Sequence, residues 1–289
     1  MSHFQTTLAR QATLTGVGVH SGAAVTMVLK PAPADSGVSF VRTDLPGAPA
    51  IPATADSVSN TMLATVIGAG EATVSTVEHL MATFAGLGVD NAVVEIDGPE
   101  TPIMDGSADD FVAAVDAAGI ETLVAPRRFM KILAPIEIAT PGKRAALLPA
   151  ERFELAVEIA FDAPAIGTQA VDIVVDAASF RAELAGARTF GFIAEVEQLR
   201  AAGFGKGASL DNTIVVDGAT VLNPDGLRRP DEFVRHKAMD ALGDLAMLGA
   251  PVIGRFESVR GGHALNNQLV RAVLARPEAW RMVTLAEAG

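Results

Sequence analysis

Five histidines occur in the 289-residue chain, and three of them stand beside carboxylates or glycines in patterns that could do chemistry. In His236-x-x-x-Asp240 an imidazole and a carboxylate lie one helical turn apart, roughly 5–6 Å at Cβ, close enough to converge on one ion. The same pair could instead close as a His–Asp hydrogen bond inside a core. Glu78-His79 sets a carboxylate next to a second candidate ligand, which suits a general base activating a water beside a metal. Against that, Ser75-x-x-Glu78 fits a helix capping box that would occupy the carboxylate, and His79 could be a satisfied core histidine. His263 follows Gly261-Gly262, and glycines let a loop approach a ligand closely. It could protonate a leaving amine, or it could stand in solvent. In Ala187-Arg188-Thr189-Phe190-Gly191-Phe192 a hydroxyl could donate to an oxyanion and aromatic rings could wall a sugar, although the segment alone is an ordinary strand-to-turn. The glycine-rich stretch from Thr15 to Gly22 lacks Rossmann spacing and a βαβ context, so it offers no dinucleotide site. His3 and His20 read as structural.

Positioning these groups requires helices. From Asp231, a plausible N-cap, to Leu248, apolar residues cover nearly the whole circumference, as in a buried helix. Yet that helix carries His236, Lys237, Asp240 and Asp244. Positions 236, 240 and 244 drift only about 40° per step and so share one face. Polar groups buried there need partners, because an unpaired one costs roughly 1–3 kcal/mol. A helix from Ser75, with Val77, Leu80, Met81 and Phe84 at helical spacing, ends at Gly86 and Gly88. Further helices are expected at about Asp109–Ala118, Ile193–Ala202 and Asn267–Ala275. Alternating apolar runs predict strands at Ala24–Lys30, Val38–Arg42, Thr61–Ile67, Ala92–Ile96, Phe129–Ile132, Ala145–Leu148, Phe153–Phe161, Gln169–Val175 and Val252–Glu257. Ala125-Pro126-Arg127-Arg128 looks like a boundary. Val77-Glu78-His79 and Val234-Arg235-His236 each enter a helix that leads through Gly to a strand, a weak internal repeat. The expected fold class is α+β, with two similar domains, 1–125 and 126–289.

Composition narrows the chemistry. A formal net charge of -12 makes nucleic acid an improbable partner and argues against docking on anionic lipid. With no cysteine, disulfides and thiolate zinc sites are excluded, so any metal must be held by His, Asp or Glu. The N-terminus does not read as a signal peptide, and no apolar run is long enough to span a bilayer. A soluble cytoplasmic protein is expected.

Six segments occur in one order: Ser75-Thr-Val-Glu-His-Leu-Met-Ala, Asp97-Gly-Pro-Glu-Thr-Pro-Ile-Met-Asp-Gly-Ser, Ala187-Arg-Thr-Phe-Gly-Phe, Leu222-Asn-Pro-Asp-Gly-Leu-Arg, Asp231-Glu-Phe-Val-Arg-His-Lys-Ala-Met-Asp-Ala-Leu-Gly-Asp-Leu and Gly262-His-Ala-Leu-Asn-Asn. From about Gln5 to Ala275 the chain closely resembles the UDP-3-O-acyl-N-acetylglucosamine deacetylases, zinc enzymes that act early in lipid A biosynthesis in Gram-negative bacteria. The resemblance implies two α+β domains, each a β-sheet with helices, the helices packed between the sheets in a layered sandwich. It implies that His79, His236 and Asp240 match the ligands of a zinc ion, with Fe2+ as an alternative. Glu78 matches the catalytic base, His263 the charged partner across the site and Thr189 the oxyanion donor. Lys237 and Asp244 match supporting polar residues, and Phe190 the aromatic next to the sugar. Phe161, Lys143 and Arg260 fall where the family contacts the uridine diphosphate. The residue before Phe161 is Ala160, where some members carry an acid. The insert Ile193–Val215, with Leu199, Phe204 and Leu210, resembles the family's acyl-chain passage. The implied partner is an acylated UDP-N-acetylglucosamine, and the chain is expected to be a monomer.

Overall fold

The computed structural model describes residues 2–288 and has an α+β architecture. Its α-helices are α1 (Glu78–Leu87), α2 (Asp109–Ala118), α3 (Ala177–Ser179, running into a π-turn at Phe180–Ala185), α4 (Val196–Ala201), α5 (Glu232–Leu245), α6 (His263–Leu274) and α7 (Leu285–Ala288). In the first half of the chain a five-stranded sheet runs in the order Ala12–Val17, Ala24–Pro31, Ala92–Ile96, Val38–Arg42, Ala50–Pro52. In the second half Val252–Val259 is the spine of a seven-stranded sheet. One of its edges pairs with Lys143–Leu148. The other is shared, first by Phe129–Ile132 and then by Phe153–Ala160.

Helices resting on the sheets meet along α1 and α5. Helix α2 lies on Ala12–Val17, α5 on Phe153–Ala160 and Thr168–Val174, and α6 on Ile136–Thr140 and Lys143–Leu148. Nine of the ten residues of α1 are buried, as are twelve of the fourteen of α5. Leu80, Phe84, Phe233 and Met239 contribute to one continuous core, each side chain worth about 1.5–3 kcal/mol on full burial. That core pays for burying the polar face of α5. Close approach depends on Gly243, whose added Cβ would stand 2.0 Å from the carbonyl oxygen of Glu78.

Several expected elements differ in ways that matter for the site. The run Thr61–Ile67 is not one strand. Val58–Asn60 and Val66–Ala69 pair with each other, and residues 61–65 form the loop between them. Leu63 takes a left-handed conformation there (φ 67°), which a continuous strand could not contain. The last long helix begins at His263, four residues before the expected Asn267. Asp231 does sit at the N-cap of α5, but its carboxylate pairs with Arg235 rather than with the helix amides. After Leu245 the chain tightens into a 3-10 turn, Ala246–Leu248. The expected helix at Ile193–Ala202 opens as a 3-10 turn and becomes α-helical at Val196.

Candidate metal centre

Helix α1 presents His79 and α5 presents His236 and Asp240, and all three side chains are buried. The Nε2 atoms of His79 and His236 lie 3.5 and 3.4 Å from the same oxygen, Asp240 Oδ1. Their ligand atoms all fall within 4.8 Å of one another. Four donors held tetrahedrally at about 2.0–2.2 Å from one ion sit about 3.4 Å apart, so the triangle fits a single metal. Asp240 Oδ1 is fully buried and has no hydrogen-bond partner among the described residues. An orphan of that kind costs about 1–3 kcal/mol unless something binds it.

Surrounding contacts tune each candidate ligand. His236 Nδ1 is 3.2 Å from the carbonyl oxygen of Ala187, so it carries the proton and leaves Nε2 free to ligate. Burial lowers the His236 imidazole to about 3, which keeps it neutral, as a ligand must be. Burial alone would raise the Asp240 carboxyl, but His236 and the Lys237 ammonium hold it well below the usual carboxylate range. Lys237 Nζ donates to Asp240 Oδ2 at 2.8 Å, leaving Oδ1 to face the histidines.

Beside the triangle stand the proton-transfer candidates. His263 is the first residue of α6, where the helix dipole disfavours a cation. Burial also lowers its pKa, yet Asp244 and Glu78 overrule both effects and raise the imidazole to about 9. Its Nδ1 lies 2.9 Å from Asp244 Oδ2, and its Nε2 points back toward Glu78 Oε1 at 3.7 Å. Burial pushes the Glu78 carboxyl up, with His263 and His79 opposing. The capping-box alternative for Glu78 fails: its Oε2 accepts from the amide of Thr65 at 3.0 Å. His263 is buried and not in solvent, and the buried His79 Nδ1 has no hydrogen-bond partner among the described residues, unlike that of a satisfied core histidine.

The aromatic candidates line the same region. The Phe190 ring stands edge-on to His236 with centroids 6.0 Å apart, and Phe161 stands edge-on to Phe190 at 5.6 Å. Thr189 is half-buried, its backbone fixed by an amide donation to Gly106 and a carbonyl that accepts from Ile214, each 2.8 Å. Lys143 and Arg260 are both exposed. Lys143 opens its strand next to Arg144, which pairs with Val259, whereas Arg260 has left that ladder in a left-handed conformation (φ 53°) with its amide on the carbonyl of Glu158. Leu210 is 45% exposed on the insert. Among the described residues no hydrogen bond or ion pair joins Lys143, Arg260 or Leu210 to the cluster.

Two residues that bond to the cluster, Thr65 and Asn266, were not singled out in the sequence, and the surroundings of His20, read as structural, were not foreseen. Thr65 lay inside a run read as a strand. Asn266 donates to Asp244 Oδ2 at 2.8 Å, and its position three residues after His263 was the available signal once the helix start was known. His20 stands edge-on to Phe204 of the insert, centroids 5.5 Å apart, with its Nδ1 buried and unpartnered among the described residues.

A buried His-His-Asp cluster that could hold one metal ion, with a carboxylate and a charged imidazole beside it, suits a metal-dependent hydrolase. The chain belongs to the UDP-3-O-acyl N-acetylglycosamine deacetylase (LpxC) family, whose model matches residues 5–275. It is 59% identical over 286 residues to a UDP-3-O-acyl-N-acetylglucosamine deacetylase of Phenylobacterium zucineum (strain HLK1), covering 98% of both chains. It is 48% identical over 282 residues to the enzyme of that name from Myxococcus xanthus (strain DK1622), covering 98% of this chain and 90% of the relative. The enzyme of the same name from Teredinibacter turnerae (strain ATCC 39867 / T7901) is 46% identical over 285 residues, with 98% and 94% covered. Among the described residues no helix is long and apolar enough to cross a membrane.

Proposed function

We propose that this enzyme, a deacetylase of lipid A biosynthesis, hydrolyses the N-acetyl group of UDP-3-O-acyl-N-acetylglucosamine at the cluster His79, His236, Asp240, Glu78 and His263. The observation that carries the site is the buried, unpartnered Asp240 Oδ1 flanked by two Nε2 atoms. Zn2+ is the ion we assign, since nitrogen and carboxylate ligands in a tetrahedral set suit it, with Fe2+ as the alternative. When bound, such an ion supplies Lewis acidity to a water and to the amide carbonyl.

The side chains then divide the proton traffic. Glu78 accepts a proton from the attacking water, whose oxygen bonds to the acetyl carbon. The carbonyl oxygen faces the Thr189 hydroxyl. His263 Nε2–H donates to the amide nitrogen as the C–N bond breaks, giving acetate and the free amine. Asp244 keeps His263 charged and oriented. Lys237 steadies Asp240.

Phe190 and Phe161 wall the sugar and uridine side. Lys143 and Arg260 face the pyrophosphate, and the insert with Leu210 receives the acyl chain. We further read the chain as two domains, 1–125 and 126–289, and as a cytoplasmic monomer. Turnover of UDP-3-O-acyl-N-acetylglucosamine by Glu78→Gln and His263→Ala tests the assignment. Each should lose roughly 10²-fold or more in kcat, and wild-type rates in both would refute it.

A further inference from the structure

We infer that Thr65 is a positioning residue that aligns Glu78 with His263 across the two ligand helices. Thr65 is 2% exposed and spends each of its polar groups on the walls of the site. Its amide donates to Glu78 Oε2 at 3.0 Å. Its hydroxyl donates to Asp244 Oδ1 at 2.6 Å. Its carbonyl accepts from the amide of Val77, at the start of α1, at 3.4 Å. Asp244 Oδ2, the other oxygen of that carboxylate, takes His263 Nδ1 at 2.9 Å and Asn266 Nδ2 at 2.8 Å. A single residue of the first half therefore reaches the base directly and the imidazole through one carboxylate.

The local chain is built to deliver it. Residues 61–65 leave the strand path through the left-handed Leu63, while Ala64 and Thr65 turn inward and are buried. A β-branched side chain has few χ1 choices, so once the backbone is held the hydroxyl direction is held too. Without the hydroxyl, Asp244 keeps His263 and Asn266 but loses the donor that fixes its rotation. The imidazole then drifts relative to Glu78, and misplacement by about 1 Å can cost about 10²-fold in rate. Serine keeps the donor and loses only the restriction that the methyl branch places on χ1, so it should recover most of the rate.

The inference rests on the roles proposed for Glu78 and His263, and its test separates the two. The metal-loaded full chain is assayed as Thr65→Val, Thr65→Ser, Asp244→Asn and the Thr65→Val/Asp244→Asn double variant, with Glu78→Gln and His263→Ala beside them. We expect Thr65→Val to hold one ion per chain and to keep KM within about threefold. Its kcat should fall about 10–100-fold, and Thr65→Ser should recover to within about threefold of wild type. On the Asp244→Asn background, Thr65→Val should cost less than about threefold more, because the two act through one path. Wild-type kcat in Thr65→Val overturns the inference. So do a Thr65→Ser variant as slow as Thr65→Val, a full multiplicative loss in the double variant, or loss of the metal from Thr65→Val. Activity retained by Glu78→Gln and His263→Ala would instead remove the roles on which it rests.

Discussion

Gly243 meets the carbonyl oxygen of Glu78 where any side chain would collide, an added Cβ falling 2.0 Å from that oxygen. The contact lies between Asp240 and Asp244 on α5 and next to His79 on α1, so it sets the spacing of the metal triangle. Gly243→Ala should push the helices apart. Overpacking of this kind costs about 1–3 kcal/mol. Thermal unfolding and metal analysis of the variant should show a lower Tm and weakened ion retention. Wild-type values of both would show that the helices have slack there.

Removing any one ligand should strip the centre. His79→Ala, His236→Ala and Asp240→Ala should each lose the ion on dialysis and lose roughly 10²-fold or more in kcat. A variant that keeps both its metal and its rate would exclude that residue as a ligand.

Activity should follow a bell-shaped pH profile. His263 sits at about 9 in the folded protein, above the ordinary 6.5, because Asp244 and Glu78 outweigh its burial. Its ion pairing therefore stabilises the fold fully below about 6.5 and is lost as pH rises through about 9. The acid form is needed for donation, so kcat/KM should fall above about pH 9. Glu78 is raised by burial, and its limb should lie above the ordinary carboxylate range. His263→Ala should delete the basic limb and Glu78→Ala the acidic one. A basic limb unchanged in His263→Ala would belong to another group, such as Lys237.

The two helices that bear the cluster were legible because their signal is local. Buried polar residues at i, i+4 and i+8 on an apolar helix mark a site before any fold is known, and α5 carries them at 236, 240 and 244. Strands at Ala92–Ile96 and Phe129–Ile132 fall where alternation put them. What escaped were residues whose role depends on distant partners. Thr65 reaches Asp244 across 179 positions of sequence, and nothing in its own neighbourhood reports that bond. The left-handed Leu63 broke an alternating run that reads as a strand. His20 stands against Phe204 of the insert, a contact that tertiary folding alone creates.

Charge at Lys143 and Arg260 should govern nucleotide affinity. If the proposed contact with the pyrophosphate holds, Lys143→Ala and Arg260→Ala should each raise KM by about 5–30-fold with kcat little changed. Their effects should shrink at high salt, as both side chains are exposed. A loss confined to kcat would place them elsewhere in the mechanism.

The insert should sense the acyl chain and not the nucleotide. Leu210→Asp puts a charge on an apolar surface that is 45% exposed in the free protein. Calorimetric titration should show weaker binding of the acylated substrate with UDP affinity retained. Equal losses for both ligands would remove Leu210 from the acyl site.

Deacetylation should require one divalent ion held by His79, His236 and Asp240. The most direct test is turnover of UDP-3-O-acyl-N-acetylglucosamine before chelation, after exhaustive chelation, and after titration with Zn2+, with bound metal counted at each stage. The arrangement predicts that chelation abolishes turnover and that activity returns in proportion to the added ion, reaching its plateau at one ion per chain. Full turnover by protein stripped of metal would contradict it.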